Sequence, residues 1–582
     1  MRSIVFPLDL HNLKPIFKVQ KAIFSLLNIY ILFASHVFCQ NLALQIKGDN
    51  AIETKVVDSL NYLKSHKDFL SISTEVDTIQ KKLLKLGFIE HKLDTIHRMN
   101  DSTFIAKFQL KKKYDTIYIY YDKERLDKKI LKLVSNDVFE DYFILKMNTV
   151  EEKLALLNYI TASGGFPFSK LRLTDIKIKD DKNLSAQLEI ITETQKRHIN
   201  DIVIKGYDKF PKGYLKHYLK IKPLQVFDLT KIKSKTERLN DLRFANQIKS
   251  PEVLFSRDST TLYIYIEKAT SNSFDGFLGF GTNEDTNKLQ FDGYLNLNLL
   301  NNLNYGESFK LLYKSDENDQ KTFQTNLTLP YLFSSPMGLD LKLYIFKRDS
   351  SFTTVNQSAK INYQINSRNK VYTGITSTES NNLRSESTST LISDFNANYI
   401  ITGYEYAKPQ PYNLLFPINS SFFFETGFGT RKTAIVSEKQ TMLATEVLKI
   451  FNLNTRNSLF FKLSAEQITS NSYLENELLR FGGINSIRGF EENSLLASSF
   501  GVINTEYRFQ LGNNMFVHSI TDVSYFENKL TETKEKLFGY GFGFGILTKS
   551  GLLRLNYANG KSENQKFKLA NSKVHLSLMA TF

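Results

Sequence analysis

The chain has 582 residues, too many for one ordinary domain, and a net charge of +15 whose basic excess lies in the N-terminal half. Such a surface suits anionic partners such as lipid headgroups or acidic polypeptides, and it equally suits a lysine-rich solvated exterior; without an arginine-rich tract or an aromatic RNA-binding motif it gives no support to nucleic-acid binding. After residue 40 no apolar run reaches the roughly 18 residues of a membrane-spanning helix, which argues against a helical membrane protein but leaves a β-barrel open, because alternating strands keep hydropathy low.

In chain order, 1–39 reads as an export signal. Lys14, Lys18 and Lys21 precede an apolar core at 22–34, and Val37 and Cys39 stand at the −3 and −1 positions before Gln40. An uncleaved N-terminal anchor is the other reading. His36-Val37-Phe38 is a poor lipobox, so no lipoprotein is expected. Cys39 is the one cysteine, and cleavage after it would exclude disulfides and thiol chemistry.

Residues 41–268 contain an internal repeat. Helical patterns at 74–86, 149–162 and 228–242 lead into Phe88, Phe166 and Phe244, which recur at an interval of 78 residues. Val76, Ile79, Leu83, Leu84 and Leu86 make one apolar face in the first, and Thr149 with Glu152 makes a capping box in the second. Two strand-like segments follow each helix, joined by polar turns at 100–101, 180–183 and 257–259. The third copy also opens with a strand at 198–207 and a short helix at 211–219.

This β-α-α-β-β order resembles the POTRA module, with copies at 41–120, 121–196 and 197–270. The resemblance implies α+β modules with an exposed sheet edge that can accept an extended peptide, or modules that serve as spacers and docking platforms.

Near Ser271 the composition shifts to Gly, Asn, Phe, Leu and Ser, and alternation becomes frequent: Leu295/Leu297/Leu299, Leu339/Leu341/Leu343/Ile345, Leu459/Phe461/Leu463/Ala465, and Val574 onward to Phe582. Lipid outside and a wet lumen inside explain it; a soluble antiparallel sandwich alternates too. The export signal and terminal Phe582 favour an all-β barrel over 271–582. Its length accommodates fourteen, sixteen or eighteen antiparallel strands. The polar run 376–389 reads as an extramembrane loop, and 466–499 includes a second loop.

That second loop carries Gly482-Gly483 and Arg488-Gly489-Phe490, followed by Thr505-Glu506-Tyr507-Arg508 and Thr521-Asp522-Val523-Ser524. These motifs resemble the BamA/TamA outer-membrane assembly superfamily, which combines POTRA repeats with a C-terminal transmembrane barrel; Ser524 and Asn556 depart from its usual Gly and Asp. The resemblance implies sixteen strands, an outer-membrane location and periplasmic modules. It also implies a loop lock in which Arg488, with Gly483, Gly489 and Phe490, enters the lumen and meets Asp522, with Glu506 as second partner. A further implication is a lateral seam between the first strand, 274–281, bearing Gly276, Gly279 and Gly281, and the last strand, bearing Leu578. The glycines fit a weak closure and equally fit barrel curvature. Phe582 would be part of a C-terminal assembly signal or an interface anchor.

No GxxxxGK[ST], HExxH or GxSxG is present, and the nine His show no metal-ligand spacing, so no enzyme, cofactor or metal site is expected. The expected function is assembly or insertion of outer-membrane proteins. The expected partners are unfolded outer-membrane or secreted proteins, outer-membrane lipids, periplasmic chaperones and accessory lipoproteins. A dedicated two-partner-type translocator and a passive pore or scaffold are the alternatives. The family's two-partner exporters usually carry two POTRA modules and an N-terminal plug helix, which this pattern does not match.

Overall fold

The computed structural model describes residues 41–582 except 193–194, 283–288, 316–319, 350, 384–390, 411–412, 549–550, 566–567, 570–571 and 582, with backbone alone at 277–282, 289–293 and 576–581. The expected signal at 1–39 and Phe582 lie outside the described residues. Two compact units divide at Lys196/Arg197.

The first unit holds two small α+β modules. In the first, Leu42–Gly48 lies parallel to Thr103–Gln109, flanked by Ser65–His66 and Lys92–Arg98. Helices Ala51–Asp58 and Phe69–Lys85 bury Val57, Ile72, Val76, Ile79 and Leu83 against Leu44, Ile46 and Phe108. The second helix starts five residues before the expected 74, because Asp68 and Ser71 form a reciprocal capping box. Apolar periodicity missed this start because Phe69 and Leu70 are exposed.

The second module repeats the pattern and begins before the expected boundary at 121: Thr116–Tyr120 is its central strand, parallel to Asn183–Ile191 and flanked by Tyr142–Lys146 and Lys170–Ile178. Its main helix is Val150–Ser163. The expected Thr149/Glu152 capping box does not form. A 3-10 turn, Met147–Thr149, precedes the helix, and the Thr149 hydroxyl instead donates to the Lys146 carbonyl at 2.9 Å. Gly87 (φ +98°) and Gly165 (φ +100°) end the two main helices in the left-handed conformation just before Phe88 and Phe166, the spacing seen in the sequence.

The second unit opens with the third module: Asp201–Lys205 parallel to Thr260–Lys268, with Ala245–Phe255 on the other side. The helical stretch expected at 228–242 divides into Leu229–Thr236, capped by Asp228, and a 3-10 turn at Glu237–Asp241. In place of a regular helix at 211–219 there is a π-helical segment, Tyr214–Tyr218. In all three modules the penultimate strand lies at the sheet edge and carries a register shift: between Leu93 and Thr95, Thr174 and Lys177, and Gln247 and Lys249.

The remainder is a closed antiparallel barrel of sixteen strands, from Ser273–Thr282 to Ser572–Thr581. Connections after the second and fourth strands (Leu289–Leu300 and Gln320–Leu329) meet the third module. The Tyr207 hydroxyl donates to Asn304 Oδ1 at 2.6 Å, and Tyr214 stacks edge-on against Tyr331 at 4.8 Å. This marks the module end of the barrel; connections after odd-numbered strands lie at the far end.

One lateral row of the wall, Leu327, Leu341, Ala359, Ile375, Ile400 and Phe428, is apolar and in register. Two residues further toward the far end the row reads Thr325, Leu343, Gln357, Ser377, Asn398 and Thr430, so the apolar band ends there. This corrects the first half of the loop expected at 376–389: residues 376–382 belong to the seventh strand, Asn369–Asn382, which continues beyond the band, while 384–389 lie outside the described residues. Thr376, Thr378 and Ser380 are polar because they bond Asn356 and Thr354 of the sixth strand, Phe352–Gln364. Likewise 466–469 belongs to the eleventh strand, Asn457–Thr469. Among the described residues no helix is long and apolar enough to cross a membrane.

Candidate functional site

The loop at 470–498 leaves the eleventh strand and turns back inside the barrel before the twelfth, Ser499–Gln510. A short hairpin, Leu479–Phe481 with Leu495–Ala497, forms its stem. Its tip bends at Gly482, Gly483 and Gly489, with φ of +107°, +97° and +91°. Side chains rarely adopt these angles, so glycine is required for the tip to fold tightly.

Alternation on the twelfth strand turns Asn504, Glu506 and Arg508 inward while Ile503 and Tyr507 face out; on the thirteenth, Met515–Asn528, His518, Asp522 and Ser524 face inward. Arg488 meets this wall and is 4% exposed. Its backbone N–H donates to Asp522 Oδ2 at 3.0 Å, Nε to the same oxygen at 2.8 Å, and Nη2 to Oδ1 at 2.6 Å. Nη1 donates to Glu506, whose other oxygen accepts from Arg508 Nε at 2.7 Å. Two cations and two carboxylates therefore neutralise one another. That is the condition under which buried charge is tolerated.

The tip also lies against glycine. Gly539 of the fourteenth strand (Thr533–Thr548) pairs with Gly560 of the fifteenth (Gly551–Ser562). A Cβ at Gly539 would stand 2.3 Å from the Arg488 carbonyl oxygen, and one at Gly560 2.4 Å from that of Gly489. Phe490 packs with Phe481, Ile487 and Leu495 against Phe500, Phe526 and Leu537 of the wall. Asn504 Nδ2 donates to the Ser486 carbonyl at 2.8 Å, Ile484 N–H to Glu492 Oε2 at 3.2 Å, and Lys573 of the last strand reaches Glu491 at 2.9 Å. Ser524, where the family pattern has glycine, donates its hydroxyl to the Gly501 carbonyl at 2.9 Å.

The base of the loop is held by a second ionic set of opposite polarity. Here the wall supplies arginine and the loop supplies glutamate. Arg431 of the ninth strand (Ile418–Lys432) contacts Glu477 at 2.8 Å and Glu438 of the tenth (Ser437–Asn452) at 2.6 Å, with the Arg431 side chain 2% exposed. Arg348 of the fifth strand (Met337–Arg348) contacts Glu475 at 2.8 Å. Asn476 donates to Ser380 Oγ and to the Ser393 carbonyl. The loop is thus tied to strands five, seven, nine and ten at its base and to strands twelve to sixteen at its tip.

At the barrel closure, Ser273 pairs with Thr581 and Phe274 with Ala580, and among the described residues the ladder extends no further. By contrast, the first and second strands pair from Ser273/Asn298 to Thr282/Leu289. Continuing the closing register sets Gly276 opposite Leu578. Gly279 and Gly281 pair with Asp292 and Gln290 of the second strand.

The sequence reading brought Arg488, Gly483, Gly489, Phe490, Asp522 and Glu506 to one region, and the structure places them together. It missed Arg348, Arg431, Glu475, Glu477, Arg508, Gly539 and Gly560. Two signals were available. Arg431 shares its strand face with Gly427 and Gly429, so its charge needs an internal partner. The run Gly539, Gly541, Gly543, Gly545 leaves one face of a strand bare, which calls for something packed on it.

Residues 197–269 match the POTRA family model, described as a surface antigen variable number repeat. The outer membrane protein assembly factor BamA of Nitratidesulfovibrio vulgaris is 23% identical over 186 residues, 31% of this chain and 23% of that protein, so the match spans about a quarter of that relative. CdiB from Acinetobacter baumannii superposes with a TM-score of 0.51 at 13% identity, over 88% of this chain and 97% of that one, a likeness of fold. BamA from Haemophilus ducreyi lacking POTRA domains 1–3 gives 0.48 at 15% identity, over 80% of this chain and 99% of that one.

Proposed function

We propose that this POTRA–barrel chain, similar to the BamA/TamA superfamily of the outer membrane and with its N-terminal modules in the periplasm, assembles outer-membrane proteins. Unfolded barrel or secreted clients would be received by the periplasmic modules and inserted at the seam between the first and last strands. Binding and folding energy drive the process, with no nucleotide.

The observation that carries this reading is the two-pair seam in an otherwise fully laddered barrel. Each backbone hydrogen bond contributes about 0.5–1.5 kcal/mol net, so a ladder this short is held by a few kcal/mol. Parting it would offer strand edges as a template for an incoming strand. The exposed edge strands of the modules would be further acceptors of extended chain, along the stretches on either side of their register shifts. Outer-membrane lipids bound the seam, and periplasmic chaperones and accessory lipoproteins are the partners such a route calls for.

A second reading, a translocator dedicated to one secreted substrate, is favoured by the lumen. Lys360 contacts Glu425 at 2.5 Å, Lys462 contacts Glu446 at 2.9 Å, and Lys342 and Glu466 are exposed to the barrel interior. That hydrated, mixed-charge wall suits passage of a polypeptide. Quantitative outer-membrane proteomics after depletion separates the two. Loss of many unrelated barrels supports assembly; loss of one secreted or surface protein with other barrels intact overturns it in favour of the translocator.

A further inference from the structure

We propose that Arg508 and Phe416 are positioning residues that set the Arg488 lock from the periplasmic side of the barrel. The inference rests on the reading of Arg488 as a lock.

Phe416 lies in the periplasmic connection between the eighth strand (Phe395–Pro409) and the ninth. Unlike an ordinary turn tip it points inward: Leu415 is 2% and Phe416 4% exposed. The Phe416 N–H donates to Asn413 Oδ1 at 3.0 Å, and its carbonyl accepts from Gln410 Nε2. The ring meets Phe516 of the thirteenth strand edge-on at 4.7 Å. Phe516 in turn lies over Gly545, where a Cβ would come within 2.2 Å of its ring. Leu415, Phe416, Ile450 and Phe516 make a buried apolar cluster.

Against this cluster sits the Arg508 guanidinium, 4.3 Å from the centre of the Phe416 ring and 3.9 Å from that of Phe460. A cation held between two aromatic faces in a dry setting has little freedom to turn. Its Nε then fixes one oxygen of Glu506, and the other oxygen of that carboxylate receives Arg488. A single carboxylate is thus shared by two guanidiniums, one carried by the far-end loop and the other braced by a periplasmic turn. The contacts run Arg488, Glu506, Arg508, Phe416 across the barrel. Loss of the Phe416 ring leaves Arg508 braced on one side only, by Phe460, and so loosens the orientation in which Glu506 meets Arg488. Because coupling is reciprocal, release of Arg488 must also loosen the turn.

The experiment uses the full-length protein in proteoliposomes with Cys39 replaced by serine. A cysteine at the exposed Asn485 reports the loop tip through its rate of modification by a membrane-impermeant maleimide. Phe416→Leu keeps apolar volume but removes the ring, and is expected to speed labelling about twofold to thirtyfold, the span from an exposed to a desolvated cation–π contact. Phe416→Tyr should restore the wild-type rate. In the reverse direction, a cysteine in place of buried Leu415 should label faster when Arg488→Ala is introduced. Arg508→Lys is the second variant, since it keeps the charge and removes the planar fork. If Arg488→Ala speeds labelling at 485 while Phe416→Leu and Arg508→Lys do not, the relay is overturned and the lock stands. If Arg488→Ala itself leaves labelling at 485 unchanged, the lock and the relay both fall.

Discussion

Adding one methyl group to the barrel wall should release the loop without weakening the barrel. Gly539 and Gly560 face each other on adjacent strands, and an added Cβ would stand 2.3 Å from the Arg488 carbonyl oxygen or 2.4 Å from that of Gly489. Ordinary contact begins near 3.4 Å, so the loop tip must retreat by about 1 Å. The bonds from Arg488 to Asp522, at 2.6–3.0 Å, cannot follow that displacement unbroken. Overpacking of this kind costs about 1–3 kcal/mol, which shifts the docked loop toward release by about fivefold to 150-fold. The barrel itself should be as stable or more so, because alanine loses less backbone entropy in a strand than glycine. The assay is impermeant labelling of a cysteine at position 485, read beside the heat-modifiable mobility of the barrel on a gel. Gly539→Ala and Gly560→Ala should each raise labelling and leave the mobility transition in place. Unchanged labelling in both would refute the cradle. A fall in barrel stability alone would show that these glycines serve the strands and not the loop.

Arg488→Ala removes three side-chain bonds and strands Asp522, which is fully buried; breaking such a pair costs about 3–5 kcal/mol, so activity should fall while the barrel stays in the membrane. Arg488→Lys should not rescue it, since one ammonium cannot reproduce the fork that spans Asp522 and Glu506; full activity in either variant, measured as client insertion, would remove the lock from the mechanism. Arg431→Ala should loosen the base of the loop, and a cycle with Glu477→Ala should show a coupling of about 1 kcal/mol or more. Arg431→Ala should add to Arg488→Ala without large interaction, because the two sets share no partner. Cysteines at positions 276 and 578 should form a disulfide on oxidation, as the closing register sets them opposite, and the bridge should block client insertion while leaving the barrel folded. Retained insertion after complete oxidation would count against lateral opening.

Much of the architecture was legible because it rests on short-range physics. A period of two residues places alternate side chains on opposite faces, so the barrel strands near Leu295, Leu341 and Leu459 could be read directly. The 78-residue interval of Phe88, Phe166 and Phe244 was legible because each module must end its main helix and turn back onto its sheet; in two modules a glycine does this. Errors arose where a local rule had two outcomes. A serine- and threonine-rich run looks like a loop, yet Thr376, Thr378 and Ser380 at its start line the inner wall of the seventh strand. Thr149 precedes acidic residues as a capping residue should, but a 3-10 turn had already claimed its hydroxyl.

The lock shows the same division. Glycines at 482, 483 and 489 and the isolated charge of Arg488 were visible as a tight turn bearing a cation in need of a partner. Asp522 and Glu506 could be named by resemblance. That Glu506 is shared with Arg508, that Phe416 braces Arg508 from the periplasmic turn, and that Arg431 grips Glu477 depend on chain separations that no local pattern spans. By itself the sequence determined the module repeat and the alternation of the clearest strands, because backbone sterics and alternation act over a few residues. Only the tertiary structure decided which inward charges meet, because closing the barrel brings strands distant in the chain around one lumen, and there each buried charge must be neutralised by whatever the opposite wall presents.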